Sequence, residues 1–541
     1  MDNIRLELTW PNKDKFLLSP KDESGKPVWV ERSHPAALEV RLAEFTGAYG
    51  RVGENPYADN LIFQGDSLDA LRIMCEVPEF RSEYRGKVKL IYIDPPFNTQ
   101  QTFQHYDDWM EHSTWLSFMR DRLLLMKELL AQDGTIWVHL DDAEQHRMRL
   151  LLDEVFGANE FIATVVWQKT TNARNDSRTF STDQDYITIY SRNRNNFKPN
   201  GMERSESSEK AYTNPDNDPR GPWREGDYKT VKGSRYAIIH PVTGAEILPP
   251  PGQSWRYSYE THQRHLAEGL LYWGKTQNYS IPKCKRFRSE VADTAVPQTL
   301  WLGEAVDTNR RAKGHIKELF PGVAPFDTPK PERLLERVIH IATKPGDIVV
   351  DVFGGSGTTA ATATKMGRRW VISEISSDTV SNFIGPRLEK VVNGEDSGGI
   401  TKSVGWTGGS GFRKVTIAES FYALTPFGIL LTNGAFGERF ARAVAGQLGF
   451  ELVRDGDGFI GKRGRMKLAV LDGQLGLSEA KRLIAQIGLQ ERATIVATSI
   501  GEGVHEWLEV NSPGSHAWKA PSEVLRERRV RKNPARELNA S

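Results

Sequence analysis

Cysteine is almost missing: Cys75 and Cys284 are the only two in 541 residues. That is too few for a disulfide framework or a cysteine-based zinc site, and it suits a reducing compartment such as the cytoplasm. Long apolar runs are missing as well. No stretch approaches the ~20 residues that cross a bilayer, and charges are scattered through Met1–Pro20, so neither a membrane span nor a secretory signal is expected. Net charge is the third absence. Lys+Arg 71 against Asp+Glu 70 leaves no whole-molecule field, so a polyanionic partner would have to be met by local basic patches. The length exceeds what one core supports and predicts two or three domains. There is no internal repeat.

What is present is an interrupted α/β alternation. Residues 1–59 are polar, with a short helical pattern around Ala36–Phe45, and read as an N-terminal arm. From Asn60 the texture becomes strand (Leu61–Phe63), turn, helix (Ser67–Cys75) and strand (Lys89–Ile93), the alternation of a parallel sheet. A helix over Thr114–Ala131 and a strand over Thr135–Leu140 follow, separated by Asp133-Gly134. Between about 170 and 310 the alternation fails over a length no ordinary connection needs, which predicts an inserted region. It resumes with a helix over Glu332–Ala342, a strand over Asp347–Val352, a helix over Thr358–Met366 and a strand over Arg369–Ser373. Residues 394–414 are Gly/Ser-rich and read as a linker. Residues 415–541 carry a further strand-helix pattern, with helices near Gly437–Leu448 and Ser478–Gly488 and strands near Met466–Leu471 and Ala493–Thr498, and read as a small separate α/β domain.

Two clusters carry chemistry. Asp94-Pro95-Pro96-Phe97 stands directly behind the apolar run Leu90–Ile93, which delivers a carboxylate and an aromatic ring to the end of a buried strand. The prolines stiffen the turn and leave backbone carbonyls free to accept from a ligand amine. The second cluster, Asp351–Thr359, places Gly354, Gly355 and Gly357 between a strand and a helix, so that backbone can approach a ligand closely. It lacks the Gly-Lys-Ser/Thr ending of a phosphate-gripping loop. Glu374 ends the next strand, where an acid can take both ribose hydroxyls of an adenosine. Together the clusters point to methyl transfer from S-adenosylmethionine onto an exocyclic base amine.

Five segments, Asn60–Asp66, Ile93–Thr99, Gly134–Asp142, Phe326–Leu335 and Asp351–Thr359, resemble the circularly permuted amino-methyltransferases of DNA of the β order. The chain is especially similar to the modification subunits of type III restriction systems and their stand-alone relatives. The resemblance covers roughly residues 60–412. It implies a Rossmann-like methyltransferase sheet divided into a catalytic half (60–169) and a cofactor-binding half (311–393), with the target-recognition region (170–310) between them. By position, Asp94 would hold the target amine, Pro95 would offer it a carbonyl, Pro96 would complete the turn and Phe97 would stack on the base. Phe353, Gly355 and Gly357 would line the methionine end of the cofactor, with Asp351 and Thr358 in the same loop. Glu374 would take the ribose, Lys330 would close the pocket near the carboxylate, and Asp66 would face the adenosyl portion or support the catalytic loop. One departure is Phe97, where Tyr is more usual, so stacking survives without a hydroxyl.

Plainer readings stand beside these. Asp141 and Asp142 fit a turn better than a metal, because no set of ligands with suitable spacing accompanies them. His139 reads as a satisfied core histidine, and Cys75 and Cys284 as packing residues; carbon-5 methylation would need a thiolate in its own loop. The basic and aromatic runs at Trp255–Tyr257, Tyr272–Lys275 and Lys283–Arg288 suit duplex contact, and Arg526–Lys532 a solvated face. The expected activity is N6-adenine methylation of a base flipped from double-stranded DNA, within a restriction or phage-defence system. N4-cytosine methylation is the alternative, and a DNA-reading scaffold for a helicase-nuclease subunit is the alternative of another class. A homodimer is a further possible partner arrangement.

Overall fold

The computed structural model describes residues 7–19, 26–98, 110–172, 179–324, 326–425, 428–453 and 458–526. Thr99 and the basic run after Arg526 lie outside them. Ten strands form one mixed sheet: β1 (Ala43–Gly50), β2 (Asn60–Gln64), β3 (Val88–Ile93), β4 (Leu130–Leu140), β5 (Phe161–Gln168), β6 (Gln184–Ser191), β7 (Leu300–Trp301), β8 (Ile348–Asp351), β9 (Arg369–Glu374) and β10 (Gly411–Ile417). Their spatial order is β7-β5-β6-β4-β3-β8-β9-β2-β10-β1. From β4 to β10 the six central strands are parallel, while β6 and β1 run against their neighbours. The central strands are apolar on both faces, as a parallel sheet requires: Leu90, Ile91, Val349 and Val350 have no exposed surface.

The late strand β8 pairs with the early strand β3 in the register Val349 to Leu90 and Val350 to Ile91. Asp351 and Asp94 therefore emerge at the same end of neighbouring strands, separated by more than 250 residues of chain. Helix α1 (Ser67–Glu76) starts at Asp66, whose carboxylate caps the amide of Leu68 at 2.7 Å. Helix α2 (His112–Leu129) buries Trp115, Met119, Leu123 and Met126 on one stripe. Helices α3 (Glu332–Ala342) and α4 (Thr358–Lys365) flank β8 in the sequence.

Four readings of the sequence differ from the structure. The arm is not helical over Ala36–Phe45: the helix is only Pro35–Leu38, and Ala43–Gly50 is the edge strand β1. The inserted region is narrower than 170–310. Residues 199–297 form a compact unit of their own, whereas β6 and β7 belong to the large sheet. Within that unit, Trp223, Tyr228 and Trp255 are buried in two small cores, and Tyr228 bonds His262 at 3.0 Å.

The Gly-rich stretch 394–414 is not a linker, since it ends in β10 and packs on a buried charge network. Lys365 donates to Glu332 at 2.8 Å and to Asp396 at 2.6 Å, Arg387 donates to Glu332 at 3.0 Å, and His315 bonds Asp396 at 2.9 Å. His315, Glu332 and Asp396 lie close enough to resemble a metal site, yet the two cations already neutralise the carboxylates. A β-carbon on Gly399 would stand 2.0 Å from a Glu332 oxygen, which explains the glycine there.

Residues beyond 415 form a hairpin (Tyr422–Thr425 with Gly428–Leu431), a five-stranded sheet and helices including Gly437–Leu448. They share one compact unit with the large sheet and are not a separate domain. Phe440 and Val444 share a core with Leu42 of the arm, and Gln447 bonds the backbone of Val40 and Leu38. Among the described residues no helix is long and apolar enough to cross a membrane.

Candidate active site

Strands β3, β8, β9 and β2 all open at their carboxyl ends onto one cavity of about 650 Å3. This is where ligands bind open α/β sheets, and the volume lies in the range of roughly 300–1,000 Å3 usual for cofactor sites. Asp66, Asp94, Pro96, Lys330, Asp351, Phe353, Gly355, Thr358 and Glu374 all reach its wall. Gly357 does not. It takes a left-handed conformation (φ +75°) at the start of α4, beside Ile384, so its role is to turn the chain rather than to line the methionine end.

The Asp-Pro-Pro-Phe turn is held from three sides. Trp115 of α2 donates its indole N–H to the Pro96 carbonyl at 2.8 Å. Asn98, in a left-handed conformation that asparagine tolerates better than most residues, bonds buried Glu144 at 2.7 Å and accepts from the Met110 amide at 2.7 Å. Phe97 stacks on His139, with ring centres 6.0 Å apart and planes 27° apart.

Lys330 places its ammonium 2.5 Å from Asp94 Oδ2 and 5.0 Å from the centre of the Phe97 ring. The other Asp94 oxygen, Oδ1, is buried and has no hydrogen-bond partner among the described residues. An orphaned acceptor of that kind costs roughly 1–3 kcal/mol and marks where a donor belongs. Pro95 is buried in the turn.

Behind this face runs a buried polar chain. Tyr92 bonds His139 Nδ1 at 2.8 Å, His139 Nε2 bonds Asp185 at 3.2 Å, and Lys169 donates to Asp185 at 2.7 Å. Burial, then the charge of Lys330, lowers the His139 pKa, so the ring is neutral, accepts from Tyr92 and donates to Asp185. Burial pushes Asp185 up, but the hydrogen bond from His139 and the charge of Lys169 outweigh it and hold the carboxyl well below the usual range. His139 is thus a satisfied core histidine, as expected, and it also supports Phe97.

On the glycine-loop side, Asp351 accepts from the Phe353 amide at 3.0 Å and from the Thr359 hydroxyl at 2.6 Å. Burial pushes its pKa up to about 8. Glu374 holds the loop shut, accepting from the amides of Gly355 and Ser376 at 3.0 Å each. Asp66 is bound by Arg122 at 2.8 Å.

Sequence reasoning missed the supports Tyr92, Trp115, Asn98 and Arg122. Asn98 alone left a signal, as an asparagine closing a proline turn. It also missed that Phe16 of the arm and Tyr422 and Ile429 of the late hairpin reach the same cavity wall.

Against known proteins, residues 88–384, more than half of the chain, match the family described as DNA methylase, of the N6/N4 type. The chain belongs to the DNA methylase family. Methylases of this family take the methyl group from S-adenosylmethionine. The chain is 31% identical over 348 residues to the type III restriction-modification enzyme StyLTI Mod subunit of Salmonella typhimurium, covering 58% of this chain and 51% of that protein. It is 31% identical over 322 residues to the type II methyltransferase M.EcaI of Enterobacter cloacae, covering 58% of this chain and 66% of that one. The methylase described here therefore spans between half and two thirds of the length of these relatives. Among solved structures, a PvuII DNA methyltransferase (cytosine-N4-specific) aligns with a TM-score of 0.34 at 16% identity, over 63% of this chain and 90% of that one.

Proposed function

We propose that this methylase transfers a methyl group from S-adenosylmethionine to the N6 amine of an adenine flipped out of duplex DNA, at a site selected by residues within 170–310. The observation that carries the reading is that Asp94, whose buried Oδ1 has no hydrogen-bond partner among the described residues, lines the cavity that the glycine loop also lines. The cavity suits the cofactor. It offers Glu374 for the ribose, Lys330 for a carboxylate, and Phe353, Gly355 and Thr358 beside the methionine end, with Asp351 bracing the loop.

When bound, the cofactor supplies an electrophilic methyl group on a sulfonium. The protein's part is to make a poor nucleophile competent. A base amine shares its lone pair with the ring until acceptors hold its hydrogens and favour a pyramidal nitrogen. Asp94 Oδ1 and the Pro95 carbonyl are the acceptors, and Phe97, braced by His139, supports the base. Holding the nitrogen in line with the methyl is then a large part of the catalysis. A proton leaves the nitrogen after transfer, so no strong base is needed.

Adenine is favoured over N4-cytosine by the resemblance to type III modification subunits, because either amine satisfies Asp94. The same resemblance supports a helicase-nuclease restriction subunit as a partner and a homodimer as the assembly, in a bacterial cytoplasm. Incubation with methyl-labelled S-adenosylmethionine and duplex DNA, followed by nucleoside mass spectrometry, should yield N6-methyladenine at a defined sequence. N4-methylcytosine would replace the adenine reading, and no labelled base would remove the activity.

A further inference from the structure

The Lys330 ammonium lies over the Phe97 ring on which the incoming base would stack and holds Asp94 Oδ2, beside the Oδ1 assigned to the base amine. Its nitrogen sits 2.5 Å from the Asp94 carboxylate and 5.0 Å from the centre of the Phe97 ring. A neutral base amine competes poorly for that place. A charge-assisted bond is roughly twice as strong as a neutral one, and displacing the cation strands a part-buried charge.

Lys330 also has nowhere else to go on the cavity wall. Asp66 is held by Arg122 and Asp69 pairs with Arg41. Glu39 accepts from the Ser420 hydroxyl, and Glu374 accepts from two loop amides. Asp351 is already bonded to Thr359 and to the Phe353 amide. Among the described residues every other carboxylate on that wall already has a donor, and the α-carboxylate of the cofactor is the new counter-charge that its binding would bring.

Building on the methyltransferase reading, we infer that Lys330 holds the place of the target base over Phe97, and that it leaves Asp94 Oδ2 and Phe97 only when the α-carboxylate of the cofactor's amino-acid end arrives to receive it. The lysine thereby orders the reaction: the methyl donor binds first, and only then does the pocket admit a base. Lys330 acts as a positioning residue through Asp94. The arrangement keeps an enzyme without its donor from holding a flipped base it could not modify.

The test uses the full chain and an end-labelled duplex whose mapped target base faces an abasic site, so that little pairing opposes flipping. Anisotropy gives its affinity relative to the fully paired duplex. With S-adenosylhomocysteine, which keeps the carboxylate, the wild type should prefer the unpaired target by about tenfold or more, the scale of a pairing cost of a few kcal/mol removed. With no ligand, or with 5′-methylthioadenosine, which lacks the amino-acid end, the preference should vanish. Lys330→Gln should show the preference with no ligand, and Lys330→Arg should restore the dependence on S-adenosylhomocysteine. A wild-type preference that is equal with and without the carboxylate-bearing ligand overturns the inference, and this arm needs no variant to fold. Labelled methyl transfer by the wild type on the fully paired duplex separates the two levels. Transfer together with ligand-independent preference sinks only the role of Lys330, whereas absence of transfer sinks the methyltransferase reading itself.

Discussion

Two neighbouring strands of the large sheet finish in an aspartate, and the two carboxylates live in opposite circumstances. Asp351, at the end of β8, has both oxygens bonded and is pushed by burial up to about 8. Asp94, just past β3, has a cation on one oxygen and, among the described residues, no donor on the other. The same residue type at the same edge thus serves twice, once to fix a backbone turn and once to wait for a ligand. The neighbours decide which. Asp351 is followed by a glycine loop whose amide and threonine fold back onto it, whereas the two prolines after Asp94 carry no N–H to donate.

Exchanging the two positions is the hardest test of that contrast. Asp94→Ala should lower methyl transfer by a factor on the order of 10²–10³ or more, as loss of a group aimed at the reacting centre does, while binding of duplex DNA stays measurable. Asp351→Ala should do the reverse in kind. It leaves the Phe353 amide and the Thr359 hydroxyl without an acceptor, at roughly 1–3 kcal/mol for each, and thermal melting should show the loss. Equal effects of both variants on turnover, with no stability change in either, would erase the distinction.

Thr359→Val keeps the shape and removes one donor to Asp351, so a smaller loss of about 1 kcal/mol is expected by denaturant unfolding. The finest test is pH. Because the folded state holds the Asp351 proton well above its ordinary value of 3.8, its contribution to stability is fully present at low pH and declines as pH rises from about 4 to about 8. Asp351→Asn should flatten that decline in melting temperature across the same window, and an unchanged slope would show that Asp351 does not carry it.

Much of the central sheet was legible because its strands are short apolar runs bounded by turn residues and its helices carry strong stripes. The helix Glu332–Ala342 falls where the periodicity puts it. The motifs located the cavity for a similar reason: strand-end residues are fixed by the strand. What the sequence hid is what depends on distant partners. The helical pattern over Ala36–Phe45 ran into what is strand Ala43–Gly50, because the pairing of that strand with Gly411–Ile417 lies far downstream. Residues 394–414 looked like a flexible connection because the packing of Gly398 on His315 and of Gly399 on Glu332 depends on residues distant in the sequence. Gly357 fits a cofactor loop by position, yet its conformation is spent on turning into α4. The pairing of Lys330 with Asp94 spans 236 positions, and no local pattern announces it.

The stretch that matches the family, 88–384, leaves out β1, β2 and β10, three of the ten strands, together with Phe16, Tyr422 and Ile429 on the cavity wall. A cassette cut at those borders and grafted into another scaffold would arrive with an unzipped sheet edge and a vessel missing one side. Chimeras that seek to trade specificity should leave both flanks with the body and move only the 199–297 unit, whose two ends return to the same scaffold.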